Sequence, residues 1–327
     1  MLPRWTVLVT GASTGLGLAL ARRLLDTTEH RLILTARPES LGRFAEEGIE
    51  ESDRVFLRPL DVLAATARRA VIQEADDCWG GVDVLVNNAG VMVRSVVEHL
   101  TDDDRIEQMR VNFVAPMELV RLVLPRMRAR RGGRIINVSS VGGMMAMPTM
   151  AVYSASKFAL EGATEALFYE VRPWNIRVSL VEPGFIHSEA YRNVRFTAMS
   201  EHSRDDVHEA YHAHYEHMAP FIERLMRWSR ATPQRVARTI VRTMHRRRPP
   251  LRVAATIDAR LFSALRRLLP RSFYHWMLYR SLPKVRTWGL PRAEEGDDEA
   301  LALVAAADET VPDEAAPPPP PPPLPRR

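Results

Sequence analysis

Short, nearly continuous apolar runs alternate with stretches of helical periodicity along the first two thirds of the chain. The runs at residues 5–10 (WTVLVT), 31–35 (RLILT), 55–60, 82–86 (VDVLV), 134–138 (RIINV) and 176–181 (IRVSLV) predict strands, and the stretches at 14–26, 63–78, 102–130 and 151–172 predict helices. Strands that stay apolar, instead of alternating with polar positions, are buried on both faces. Their alternation with helices predicts an α/β protein with a parallel sheet covered on both sides. Right-handed crossovers then give a doubly wound sheet whose ligand crevice lies at the carboxyl ends of the strands.

The pattern loosens after residue 186. Residues 186–232 read as loop and short helices, rich in His, Met, Tyr and Phe. Thr232-Pro233 is an N-cap followed by a first-turn proline, predicting a helix to about His245. Residues 251–256 predict a last strand, so that one domain spans 1–256. An extension at 257–292 follows, in which Leu261, Phe262, Leu265, Leu268, Leu269, Phe273, Trp276 and Met277 recur among arginines and Pro270 divides two helical pieces. Residues 293–327 are acidic and rich in alanine and proline, with seven prolines at 317–323; such a tail is expected to be disordered, with a polyproline II segment.

Composition sharpens this picture. With 46% apolar and 26% charged residues among 327, the chain reads as a globular protein with a full-sized core. The net charge of +5 is unevenly placed: residues 1–220 carry −4, residues 221–292 carry +16 and residues 293–327 carry −7. The basic surplus thus belongs to one late stretch, 221–292, which includes the extension, and no nucleic-acid-reading motif accompanies it. The single cysteine, Cys78, excludes an intramolecular disulfide and fits a reducing compartment. No leader-like segment opens the chain and no run reaches the length of a membrane span, so a cytoplasmic location is expected, with membrane association through the extension open. The extension's apolar side has two readings: docking on the body of the chain or a second subunit, or lying on an anionic membrane as a peripheral contact.

The candidate chemistry begins after the first strand. In Thr10-Gly11-Ala12-Ser13-Thr14-Gly15-Leu16-Gly17, the glycines allow a tight turn and close backbone approach to a pyrophosphate seated on the following helix. Gly11, Ser13, Thr14, Gly15, Leu16 and Gly17 are therefore candidate cofactor contacts of a Rossmann fold. Near the end of the second strand, where an acidic residue would bind a ribose 2′-hydroxyl, stands Arg37. A guanidinium suits a 2′-phosphate, which favours NADP(H) over NAD(H).

Taken in order, TGASTGLG (10–17), Asp61-Val62, Asn87-Asn88-Ala89-Gly90, Asn112, Ser139-Ser140, Tyr153-Ser154-Ala155-Ser156-Lys157 and Pro183-Gly184 resemble the short-chain dehydrogenase/reductase family. The resemblance runs from about residue 5 to 250 and implies an NAD(P)-dependent oxidoreductase acting on CH–OH groups. It implies that Tyr153 is the general acid/base, Ser140 binds the substrate oxygen, with Ser139 as the neighbouring candidate, and Asn112 holds a relay water. It assigns adenine to Asp61 and Val62, and further cofactor contacts to Asn88, Ala89, Gly90, Tyr153, Lys157, Pro183, Gly184, Ile186 and Ser188, the last replacing a more common threonine. Tyr153 and Lys157 stand four apart, on one face of a helix. An ammonium beside a phenol is expected to draw the phenol's pKa toward neutrality. Of 45 basic residues only Lys157 and Lys284 are lysine, so a lysine at this position is a chemical choice. Homodimers or homotetramers through the helices at 102–130 and 151–172 are also implied.

The segment from Ser140 to Gly162 is similar to the 17β-hydroxysteroid and retinol dehydrogenase branch. It implies an apolar ketone, aldehyde or alcohol substrate, steroid- or retinoid-like. Met144, Met145, Met147 and Met150 either line that substrate's cleft or fill core. The alternatives are a 3-oxoacyl thioester reductase and, in another class, a non-catalytic nucleotide-binding scaffold or sensor. His208-Glu209-Ala210-Tyr211-His212 matches the H-E-x-x-H zinc pattern. With five histidines crowded into 202–217, such a match arises easily, and no metal site is expected.

Overall fold

The computed structural model describes residues 4–186 and 194–290. Seven parallel strands form the central sheet: β1 (Thr6–Val9), β2 (Arg31–Ala36), β3 (Val55–Pro59), β4 (Val84–Asn87), β6 (Gly133–Val138), β7 (Ile176–Glu182) and β9 (Arg252–Ala254). Their order is β3-β2-β1-β4-β6-β7-β9. A two-stranded parallel pair, β5 (Val93–Arg94) and β8 (Arg195–Phe196), lies outside it. Each strand divides its side chains between two cores, as strand geometry demands. Val7 and Val9 face Leu20 and Leu24 of α1 (Gly15–Thr27), the short α2 (Arg43–Glu46), and Val236, Ile240 and Met244 of α9 (Pro233–His245). Leu8, Ile33, Leu85 and Ile135 face α3 (Ala65–Trp79) and α5 (Ala115–Ala129), together with Leu167 of α6 (Ala151–Glu170).

The strand order reverses between β1 and β4. This opens a crevice there, between the glycine turn and Asn88–Gly90. The stretch expected as one helix over 102–130 is α4 (Asp102–Met109), a π-helical segment at Arg110–Val114 and α5. Asn112 sits in that segment; such inserted residues occur often at functional sites.

The region expected as loop and short helices holds α7 (Ala198–Asp205) and the 17-residue α8 (His212–Trp228). Pro220 in its interior argues against so long a helix, yet Tyr215, Met218, Ile222 and Met226 recur on one buried face and outweigh it. The Tyr215 hydroxyl accepts from Val96 N at 3.0 Å and meets Ser200 Oγ at 2.8 Å, pinning α7 and α8 to the β5 region.

The extension forms α10 (Ile257–Leu268) and α11 (Arg271–Arg280), with the break falling at Pro270. Its inner side is docked: Ala259 and Tyr274 are buried, and Phe262 and Leu278 pack on Val141, Met144 and Met145. Its outer side leaves Ile257, Leu261, Leu268, Phe273, Trp276 and Tyr279 exposed. Ser188 and the 293–327 tail lie outside the described residues.

Candidate active site

The glycine turn has the form a pyrophosphate cradle needs. Gly11 and Gly15 adopt φ of +63° and +53°, left-handed backbone that side chains disfavour. A Cβ on Gly17 would stand 2.0 Å from the Gly11 carbonyl oxygen, so only glycine lets α1 start so close to the turn. Thr14 is the N-cap of α1 but makes no side-chain capping bond, leaving the helix start open to an anion. Asn88 Nδ2 donates to the carbonyls of Thr10 and Gly11 at 3.0 and 2.9 Å, while Thr10 Oγ1 accepts from the amides of Asn88 and Ala89. Asn88 therefore braces the turn with the same amide that was assigned to the cofactor. At the crevice rim Arg37 is exposed, with Nε on Glu39 at 3.1 Å. Asp61 Oδ1 caps Leu63 N at 2.9 Å beside Val62. These residues fit a nicotinamide dinucleotide.

Past the crevice, the end of β6, α6 and the end of β7 converge. Tyr153 is buried and hydrogen-bonds the Ser140 hydroxyl, whose oxygen also accepts from Gly142 N at 3.1 Å. Gly142 lies flat against the ring: a Cβ there would approach Tyr153 Cε1 to 2.8 Å. Lys157, also buried, donates from Nζ to the Val138 carbonyl at 3.0 Å. Asn112 accepts from Val91 N at 2.9 Å and donates to Val91 O and Ser156 Oγ, both at 3.0 Å. Gly90 lies between the Asn112 oxygen and Lys157 Nζ. The four residues expected to be catalytic thus occupy one small volume. The two candidate serines are told apart: Ser139 Oγ is spent on Glu161 Oε1 at 2.7 Å, and Ser140 faces Tyr153.

The electrostatics correct one expectation. Burial pushes the Tyr153 phenol above its ordinary range, and the Ser140 hydrogen bond opposes this only in part. Burial also draws the Lys157 ammonium down to about 8, with Glu161 opposing. Desolvation outweighs the expected activation of the phenol by the ammonium, because Lys157 Nζ stands 5.9 Å from the ring centre and is engaged elsewhere.

Three groups near the site escaped the sequence reading. Arg252 of β9 bridges Glu161 of α6 and Glu182 at the end of β7, the latter at 2.8 Å, and reaches Glu165 at 3.1 Å. Glu161 and Glu182 are buried, and burial raises the Glu182 carboxyl to about 7. Thr256 and Asp258 contact the backbone after Pro183, which also holds Val141 N on its carbonyl at 2.7 Å. The Thr-x-Asp spacing at a helix start was a readable N-cap signal; its second use was not. Met144 and Met145 pack with Val141; Met147 packs against that cluster and also, with Met150, Phe185, Phe221, Leu282 and Trp288, against the buried face of α8.

The H-E-x-x-H residues do not share a metal geometry. His212 Nδ1 faces the Ser203 carbonyl, and Glu209 turns to His202 at 3.4 Å. Among the described residues, a surface trio of His202, Asp206 and Glu209 is the group whose ligand atoms fall within 4.8 Å of one another.

Comparison with known proteins agrees with this geometry. The short chain dehydrogenase family model matches residues 5–198. A 3-ketodihydrosphingosine reductase of Bacteroides thetaiotaomicron is 32% identical over 273 residues, covering 83% of this chain and 96% of its own. Human 17-beta-hydroxysteroid dehydrogenase type 1 is 33% identical over 264 residues, covering 77% and 78%. The crystal structure of a short-chain dehydrogenase from Streptomyces avermitilis superposes with a TM-score of 0.67 at 30% identity, covering 84% of this chain and 97% of that one.

Proposed function

This chain belongs to the short-chain dehydrogenase family and is an oxidoreductase of CH–OH and carbonyl groups; from that premise we propose that it is an NADP(H)-dependent reductase of apolar ketones or aldehydes. The observation that carries the reading is the convergence of Ser140, Tyr153, Lys157 and Asn112 beside the glycine cradle. Bound cofactor supplies a hydride to the carbonyl carbon. Ser140 orients the carbonyl oxygen, and Tyr153 donates its hydroxyl proton to that oxygen, forming the alcohol. Lys157 replaces the proton on Tyr153 through water held near Asn112. A phenol kept neutral by burial is the proton donor that carbonyl reduction uses.

Arg37, the residue that follows β2, supports the 2′-phosphate preference. The apolar cluster of Met147, Met150, Phe185 and Phe221 supports a bulky apolar substrate. Two relatives are named for 3-ketodihydrosphingosine and for a 17-beta-hydroxysteroid, which places keto-lipids beside steroids and retinoids in the panel to assay. The deciding experiment measures NADPH oxidation and NADP reduction across steroids, retinoids, long-chain ketones and aldehydes, and oxoacyl thioesters. Turnover confined to the thioesters overturns the substrate class, and a preference for NADH overturns the cofactor.

No helix among the described residues is long and apolar enough to cross a membrane. In this reading the protein is cytoplasmic, and the outer face of α10 and α11, apolar residues interleaved with Arg260, Arg267, Arg271 and Arg280, rests on anionic lipid. The inner face is already docked, which supports a second partner for the outer one. Co-sedimentation with phosphatidylserine vesicles that survives Leu268→Ser with Trp276→Ser overturns this contact. Exposed Ile106, Val114 and Tyr169 on the α4–α6 face support a homodimer or homotetramer, which sedimentation equilibrium tests.

A further inference from the structure

The first turn of α10 is bonded to the loop that follows β7. Gly184 N donates to Thr256 Oγ1 at 2.9 Å, and Phe185 N donates to Asp258 Oδ2 at 2.7 Å. Ala255 N donates to the Glu182 carbonyl at 2.9 Å, so residues 182–185 are held on one side. On the other side the Pro183 carbonyl accepts from Val141 N at 2.7 Å, one residue beyond Ser140.

The contact depends on Gly184. A Cβ there would lie 1.8 Å from Asp258 Oδ2 and 2.6 Å from Thr256 Oγ1, so any side chain would expel both acceptors. Ordinary helix capping does not account for the arrangement. The capping bond from Ala259 N to Thr256 Oγ1 is 3.4 Å long, whereas the bond from the loop is shorter. The Asp258 oxygen is likewise given to Phe185 N of the loop. A carboxylate accepting a backbone N–H makes the stronger, charge-assisted kind of hydrogen bond, and its place in the first turn of α10 suits the helix dipole.

We propose that Thr256 and Asp258 are positioning residues of the cofactor site, holding the Pro183–Phe185 backbone in the shape that receives the nicotinamide ring. The proposal rests on the dinucleotide reading given above. It makes the start of the C-terminal extension part of the active site. A loop ordered before binding spares the cofactor the cost of ordering it. The effect is local to the nicotinamide half, because neither residue touches the glycine turn or the rim at Arg37.

The test is fluorescence titration of the full chain with NADPH and, separately, with 2′,5′-ADP, which lacks the nicotinamide half. Asp258→Ala should raise the NADPH Kd at least about fivefold and leave the 2′,5′-ADP Kd within about twofold. Asp258→Asn, whose amide oxygen still accepts from Phe185 N, should restore most of the NADPH affinity. Equal weakening for both ligands, an unchanged NADPH Kd, or an Asn variant no better than Ala each overturns the proposal. If Asp258→Ala fails to melt cooperatively, Thr256→Val takes its place, with the same selective loss expected. Wild-type protein that binds neither ligand overturns the dinucleotide reading and the proposal with it. Wild type that binds both, with no selective loss in the variants, overturns the clamp alone.

Discussion

Lys157 Nζ donates to the Val138 carbonyl oxygen at 3.0 Å, so the ammonium is anchored at the end of β6, 5.9 Å from the centre of the Tyr153 ring one helical turn away. The lysine is thereby a buried cation whose pKa burial has drawn to about 8. An ammonium required for reduction should make kcat fall as pH rises through about 8, and Lys157→Arg, which cannot release its proton, should flatten that limb while lowering kcat. A flat wild-type profile from pH 6.5 to 9.5 would count against the relay.

Tyr153→Phe keeps the ring that packs on Gly142 and removes the one proton donor facing Ser140. Loss of a positioned acid typically costs about two to four orders of magnitude, so kcat should fall at least about a hundredfold. The NADPH Kd should stay within about twofold. Steady-state kinetics on the best substrate, paired with a binding titration, reads both.

Arg37 is exposed and shares its guanidinium with Glu39 alone among the described residues. A surface pair of this kind is worth at most about 1 kcal/mol, so a 2′-phosphate can displace it. A charge-assisted contact is worth about 1.5–3 kcal/mol, so Arg37→Ala should weaken NADPH about ten- to a hundredfold and leave NADH unchanged. Equal weakening of both cofactors would show that Arg37 shapes the turn and does not read the phosphate.

Glu182 is buried between Arg252 and Glu161, and burial raises its carboxyl to about 7. Between pH 4.5 and 7 the folded chain then holds a proton that the unfolded chain has released, so this group's stabilisation is lost as pH rises through that window. Glu182→Gln keeps an acceptor for Arg252 and cannot ionise. Its melting temperature relative to wild type should therefore climb from pH 5 to pH 8. A difference independent of pH would mean that Arg252 holds Glu182 ionised throughout.

His30 and His245 meet Nε2 to Nε2 at 3.0 Å, stacked on Trp5. Trp5 N donates to His30 Nδ1, and His245 Nδ1 donates to the Val241 carbonyl, so in the shared contact His30 Nε2–H donates to His245 Nε2. A further proton would set two donors face to face. Burial, aided by His245 and Arg54, lowers His30 to about 4. The folded state resists a proton that the unfolded chain takes up near 6.5, so stability falls as pH drops from about 6.5 toward 4. His30→Phe keeps the stack and should flatten the melting temperature between pH 6.5 and 4.5; an unchanged slope would place the acid sensitivity elsewhere.

The strand runs were legible because burial on both faces leaves a period-free apolar signature, and all seven sheet strands lie on or beside the expected runs. The cradle and the Tyr153–Lys157 pair were legible because each is local, set by a turn or by one helical step. The π-helical segment at Asn112 was not, because one inserted residue barely alters the apolar period. Nor was α8, where Pro220 masked a buried face that becomes evident only once Met147, Met150 and Phe185 stand opposite it.

Fold class, the glycine turn and the placing of Tyr153 and Lys157 on one helix face were thus determined by the sequence alone, since each is written in residues close together in the chain. Which serine faces Tyr153, how far burial moves Tyr153, Lys157 and Glu182, and the bonding of Thr256 and Asp258 to Gly184 and Phe185 were decided by tertiary structure. Desolvation depends on everything packed around a group. A bond between residues 72 or 73 positions apart exists only because β9 pairs with β7 and delivers the start of α10 to the end of its neighbour.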